Sequence, residues 1–177
     1  VVLERAWHVL DEASGNNGGA IYLAADDHAF VLVAGRASAF CPERLDDNDP
    51  AILRLRAYRT PTSLEGSRSA LGGDRVVPMI VRGALFGFAL VARKRAGDPY
   101  APDEGEALAG LALAVGATVD ALDVERLRAA VASVLEGDGG EDALALRARL
   151  RATVKAPGAV LANDSAGRYA AATPSEI

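Results

Sequence analysis

One thiol, two imidazoles and paired carboxylates at turns and helix starts are the groups in this 177-residue chain whose types and spacing could do chemistry. Cys41 is the single cysteine, so a dithiol redox cycle has no resolving partner, and a disulfide framework or multi-cysteine zinc site within the chain is excluded. Free cysteine is among the residues most often buried, which makes a structural thiol the expectation for Cys41. His8, in Trp7-His8-Val9-Leu10-Asp11-Glu12, lacks the acidic neighbour and downstream proline of a kinase phosphoacceptor. His28 falls in a polar turn, and two isolated imidazoles make no metal set. Asp26-Asp27, Asp46-Asp47 and Asp103-Glu104 each sit at a turn or helix start, where carboxylates satisfy backbone donors and the helix dipole. General acid–base work needs instead a buried pair with opposed pKa shifts. Ser63, Ser67 and Ser69 lack a nucleophile elbow. The Gly15-Asn16-Asn17-Gly18-Gly19 loop precedes a strand rather than opening a helix, so it is no phosphate cradle. No catalytic residue and no metal site are expected.

The elements that carry these groups follow from periodicity. Val2, Leu3, Ala6, Val9, Leu10 and Ala13 recur at helical spacing, and the glycine-rich cluster after Ser14 ends that helix. Two short strands, 20–24 and 29–35, flank a turn at Asp26-Asp27-His28. Asp46, Asp47, Asn48 and Asp49 offer N-cap oxygens and Pro50 suits a first helical turn, so 51–58 is predicted to be a short helix. Thr60 to Leu64 reads as an extended edge segment and 65–74 as a solvated loop. Strands are expected at 75–81 and 85–92 around a turn at Arg82-Gly83-Ala84. Their near-continuous apolar runs imply cover on both faces, and Pro78 implies an edge or a bulge. A long helix then opens at Pro102, with Asp103 and Glu106 as its capping pair, and carries Leu108, Leu111, Val115, Val119 and Leu122. Its apolar stripe shifts to Val124, Leu127, Val131 and Val134, whose three–four spacing predicts a helical dimer seam. Glu136-Gly137-Asp138-Gly139-Gly140 stops it, and a second short helix follows from Glu141 to Val154.

Half of the residues are hydrophobic, enough for a sizeable core, and the length suits one domain with an appendage. A net charge of −5, with bases and acids interspersed, leaves no footprint for nucleic acid or a polybasic membrane patch. No uninterrupted apolar run reaches spanning length. The start at Val1 rather than methionine suggests a fragment of a longer protein.

The order helix, hairpin, lid region, strand pair, basic loop and long helix resembles a GAF domain over residues 3–135, most sharply from Gly87 through Leu122. There GFALVARK matches the strand into a basic loop, and GDPYAPDE the turn into the final helix. The resemblance implies an α+β sandwich: a central antiparallel sheet, terminal helices on one face and a lidded pocket on the other. It places the lid over Ser38 to Leu71 and a pocket among Cys41, Ile52, Arg54, Leu55, Tyr58, Thr60, Met79 and Val81. Arg54 and Tyr58, one turn apart, could fix a polar ligand group or simply face solvent. Bilin attachment at Cys41, known in photoreceptor GAF domains, lacks its adjacent histidine and its aspartate motif. With nine aromatic residues, stacking partners for a planar chromophore are few. Neither bilin nor haem is expected, and the ligand, where there is one, is a small molecule.

The tail resembles the opening hairpin of a PAS domain over 157–177, with Asp164 and Gly167 matching its turn and Thr173 standing where asparagine is usual. The implied organisation is a GAF-like domain at 1–135, a helical linker at 136–156 and a truncated PAS-like hairpin. The implied function is a sensory domain of a bacterial, cytoplasmic signalling protein, such as a sensor kinase or cyclic-dinucleotide enzyme that an inner-membrane anchor could hold. It would act as a homodimer, relaying a small ligand's binding through Leu122, Val124, Leu127, Val131 and Val134 to covalently linked output domains. The alternative is a ligand-free dimerisation and relay module.

Overall fold

The computed structural model describes residues 1–25, 28–38 and 40–136, with side chains to residue 129. The linker and PAS-like hairpin expected beyond 136 lie outside the described residues. The chain divides into two units between Thr118 and Val119.

In the first unit, helix α1 (Val2–Ala13) leads into strands β1 (Gly19–Ala25), β2 (Ala29–Gly35) and β3 (Arg44–Asp46). Helix α2 (Pro50–Tyr58), strands β4 (Thr62–Ser63), β5 (Arg75–Val81) and β6 (Ala84–Val91), and helix α3 (Pro102–Glu136) follow. The six strands make one antiparallel sheet in the order β3-β2-β1-β6-β5-β4.

Alternation along the strands sends side chains to two faces. Ala20, Tyr22, Phe30, Val76, Phe88 and Leu90 enter one apolar cluster with Ile52 and Leu55 of α2. Their neighbours Ile21, Leu23, Val77, Met79, Ala89 and Val91 are equally buried but lie outside that cluster. Helix α1 packs along β1 and β2, and α3 lies over β5. A Cβ at Gly116 would stand 3.1 Å from Met79 and 3.3 Å from Val81, so glycine lets the α3 backbone approach the sheet. Cover on both faces explains why β5 and β6 read as continuous apolar runs.

Pro78 takes the edge position, one of the two expected of it, with a register shift just beyond it. Strand β4 pairs only Thr62 with Val76 and Ser63 with Arg75, which leaves the rest of β5 an edge, and the β5–β6 register shifts at Met79/Ile80. The β5–β6 turn has positive φ at Arg82 (50°) and Gly83 (78°), the pattern of a type I′ hairpin. Ala84 is already in β6 rather than in the turn. In this unit one strand goes unpredicted and one cap expectation needs correction. The irregular 38–49 stretch contains β3, whose three residues are too few for periodicity to reveal. The α3 cap is not the Asp103–Glu106 pair: Glu104 accepts the Ala101 N–H at 2.7 Å.

Tyr100 seats the start of α3. Its buried hydroxyl donates to the Ala92 carbonyl at 2.8 Å. The Lys94 ammonium lies 4.9 Å and the Arg75 guanidinium carbon 5.2 Å from its ring centroid. Lys94 also donates to both Glu104 oxygens, at 2.7 and 2.6 Å. This hydrogen bond first, and the Ala101 N–H second, hold the Glu104 carboxyl below the usual range. Burial, reinforced by Asp74, pushes the Tyr100 phenol up to about 12.

Within Pro102–Ala129, α3 holds an 18-residue stretch long and apolar enough to cross a membrane by length and composition, with a mean hydropathy of 1.7. Composition of this kind also serves a helix buried on a sheet, and Leu108, Ala112 and Val115 are buried. No uninterrupted apolar run in α3 reaches spanning length, since Glu106 precedes the apolar stretch and Asp120 and Asp123 interrupt it after Val119.

The second unit is described through the helical residues Val119–Glu136. Arg128 pairs with Glu125 at 2.7 Å, one turn apart. Asp123 differs from its neighbours: both carboxylate oxygens are buried without a hydrogen-bond partner among the described residues, and Arg126 approaches no closer than 3.9 Å.

Candidate functional site

The lid begins with α2, whose position is set by one carboxylate. Asp49 Oδ1 accepts the Ala51 N–H at 2.8 Å, as an N-cap should, and Oδ2 accepts the Ala70 N–H at 2.9 Å, tying the helix start to the loop before β5. Pro50 follows at the first helical turn. Ile52 and Leu55, three residues apart, are fully buried towards the sheet. Arg54, Tyr58 and Thr60 are exposed on the other side. Of the expected pocket, the structure therefore brings together Cys41, Ile52 and Leu55. Met79 and Val81 sit under α3 on the opposite face, because odd-numbered positions of β5 point away from the lid.

The space beneath the lid is filled. Tyr22 stacks on Phe88 with ring centroids 4.7 Å apart, and Phe30 tilts against Phe88 at 5.4 Å. Leu45, Leu64 and Leu71 close over them. Tyr22, Phe30 and Phe88 are legible in the sequence as strand residues without a face; the two-residue alternation through Ala20-Tyr22 and Phe88-Leu90 carries that signal.

Cys41 lies at the rim of this core, 8% exposed. Tyr22 Oη donates to the Pro42 carbonyl at 2.7 Å and lies 3.2 Å from Cys41 Sγ. With the phenolic proton committed to Pro42, the thiol is the donor to the hydroxyl oxygen. Burial pushes the Cys41 thiol up, and burial followed by the Cys41 contact pushes the Tyr22 phenol up. A protonated, covered thiol is a poor nucleophile. Cys41 should label with a mild alkylating reagent at neutral pH at least about tenfold more slowly than an unfolded thiol, accelerating only in denaturant. Fast labelling of the folded chain would restore a reactive-thiol role.

Beside Cys41 the surface opens into a cleft of about 610 Å³. It lies where β1 begins and β6 ends, between the turn after α1 and the 36–41 loop, with Trp7 and Phe40 as its aromatic walls. Trp7 donates its indole N–H to the Gly19 carbonyl at 3.0 Å. None of the residues expected for the lid pocket lines the cleft except Cys41. Among the described residues no cluster of histidine, cysteine and carboxylates could hold a metal ion. His8 and His28 are exposed, the latter with Nδ1 3.5 Å from Asp47.

Of the relay residues, Leu122 is 41% exposed, whereas Val124 and Leu127 are half-buried. At 100° per residue Leu122 stands about 160° around the helix from Val124, so it is not on the same stripe. Val131 and Val134 are helical, with side chains outside the described set.

No protein-family model matches the sequence, and no curated protein does. Solved structures do match. The GAF-B domain of DevS from Mycobacterium smegmatis superposes with a TM-score of 0.56 at 18% identity, covering 71% of this chain and 95% of that one. The blue-light absorbing form of the PixJ GAF domain from Thermosynechococcus elongatus gives a TM-score of 0.55 at 17% identity, over 78% and 93%. The fold is that of a GAF domain. A third match, the GAF domain/HD domain protein from Geobacter sulfurreducens, has a TM-score of 0.52 at 18% identity and covers 66% and 89%. Within this GAF fold the lid face is packed with side chains, and the open cleft lies at the end of the sheet.

Proposed function

We propose that this chain is a sensory or regulatory domain of a bacterial signalling protein, acting as a homodimer and relaying conformational changes through α3 to linked output domains. The observation that carries the reading is α3 itself. It is one 35-residue helix whose early turns are built into the sheet core at Leu108, Ala112 and Val115, and whose later turns repeat Val124, Leu127, Val131 and Val134 at heptad spacing. A change in core packing can shift the pairing of such a helix, which is a coupling free energy between two places on one element. Solved GAF domains of this fold support the reading: one is the second GAF domain of DevS, and one belongs to a GAF domain/HD domain protein. The packed lid face favours the ligand-free relay for that face, since a sensor pocket there needs open volume.

Sedimentation velocity of the purified chain tests the seam. The wild type should run as a dimer, and the double variant Leu127→Glu/Val131→Glu as a folded monomer. Burying uncompensated charge should weaken association by about a hundredfold or more. An unchanged sedimentation coefficient with both glutamates in place would refute the seam.

A further inference from the structure

We propose that the cleft between the α1 turn and the 36–41 loop is a binding site for a short peptide of two or three residues, or a zwitterion of that shape with an apolar body. It is a second site, separate from the lid face, and it goes beyond the relay reading, on which it rests only for its place in signalling.

Size comes first. A volume of about 610 Å³ falls within the span of small-molecule sites, roughly 300–1,000 Å³. The walls are preformed. Trp7 is fixed by its indole bond to Gly19, and the Phe40 loop by Ser38–Cys41 backbone bonds of 2.9 and 3.1 Å. Gly72 N–H donates to the Phe40 carbonyl at 2.7 Å, locking that loop to the segment just before β5. Phe40 nevertheless leaves 70% of its surface in water, as a large aromatic ring awaiting cover.

The polar groups define the ligand's charge. Arg36 lines the cleft, and no ion pair or hydrogen bond among the described residues engages its guanidinium. Asp11 lines it too, with Oδ1 accepting the Gly18 N–H at 2.8 Å and Oδ2 uncommitted. The two opposite charges share one cleft without forming an ion pair. A purely anionic ligand would meet Asp11 as repulsion, and a purely cationic one would meet Arg36. A ligand with an ammonium for Asp11 and a carboxylate for Arg36 satisfies both. Asp11 and Arg36 do not reach each other, so the ligand's two charges have a gap to bridge. A dipeptide, at about 3.3–3.6 Å per extended residue, provides that separation. Asn17 gives its Nδ2 to the Arg93 carbonyl at 2.8 Å, leaving Oδ1 to accept a peptide N–H, and the Ser38 hydroxyl can donate to a peptide carbonyl.

Trp7 is the chain's single tryptophan, so its fluorescence reports on this cleft directly. The probe is a panel of dipeptides pairing alanine with phenylalanine, leucine or valine in both orders. At least one should give a saturable emission change, and its N-acetyl and C-amide derivatives should each bind about tenfold more weakly or worse. Arg36→Ala should erase the discrimination against the amide. Asp11→Asn, which keeps an oxygen for the Gly18 N–H, should erase the discrimination against the acetylated form. No saturable response up to about 10 mM, beyond the weak end of ordinary affinity, overturns the proposal. So does equal binding of the blocked peptides, or binding untouched by both substitutions. Failure here leaves the sedimentation result on the α3 seam standing, so the two readings fail separately.

Discussion

Phe88→Ala should lower the unfolding free energy by about 3–5 kcal/mol, the range for removing a fully buried aromatic side chain. Phe88 has no exposed surface, stacks on Tyr22 and tilts against Phe30, so truncation loses two aromatic contacts at once. Its backbone is paired on both sides, to Tyr22 in β1 and Pro78 in β5, which restricts collapse into the void. Equilibrium urea denaturation by far-UV circular dichroism measures the effect, with an unchanged m-value marking a two-state comparison. The outcome bears on function as well as stability. A cost below about 1 kcal/mol would mean that the lid face yields easily, which would return it to the list of ligand pockets. A cost in the expected range means that any lid-face ligand must first displace packed aromatic rings.

Asp123→Asn should act in the opposite direction and only above acidic pH. Asp123 is 11% exposed, and burial pushes its carboxyl up to about 6, against the opposing pull of Arg126 and with some help from Asp120. A raised carboxyl pKa means that the folded chain holds the proton more tightly than the unfolded chain. The associated stability is fully present below the unfolded value of 3.8 and is lost as pH rises through the folded value near 6. At pH 7.5 the wild type therefore carries a buried carboxylate with no hydrogen-bond donor among the described residues. Asparagine removes the charge at nearly the same volume. The variant should be more stable by about 1–3 kcal/mol at pH 7.5, with the gain shrinking to nothing by about pH 4. Thermal unfolding of both chains across that range checks it. A gain independent of pH would show that the carboxyl's titration is not the cause. No gain at neutral pH would show that Asp123 finds a donor in the dimer.

How far the sequence reaches can be judged element by element. The α1 stripe from Val2 to Ala13, the two hairpins, the Asp49–Pro50 start of α2 and the single long α3 all follow from local rules, and the structure has each within one residue. Pro78 is legible for the same reason, since a missing N–H has only an edge or a bulge to occupy. Strand β3 is not, because three residues carry no period, and neither is the choice of Glu104 over Asp103 and Glu106 as the cap. All three acids sit within four residues of one another, and only the position of Lys94 and the Ala101 N–H selects among them.

The candidate sites divide along the same line. Residue type alone determined that Cys41 has no second thiol in the chain to pair with, and spacing alone placed Ile52 and Leu55 one helical turn apart; that Arg54 and Tyr58 leave their side for solvent came from the structure. Only the tertiary structure decided that Met79 and Val81 turn to α3 while Val76 and Phe88 turn to the lid. A strand's alternation specifies two faces but not which partner covers each. Likewise only the structure placed Trp7, Asp11, Arg36 and Phe40 around one cleft. These residues come from a helix and a loop some thirty positions apart, and no local periodicity links them. Their meeting is set by the β1–β2 pairing, which brings Ala20 opposite Gly35, and so the start of one strand beside the end of the next.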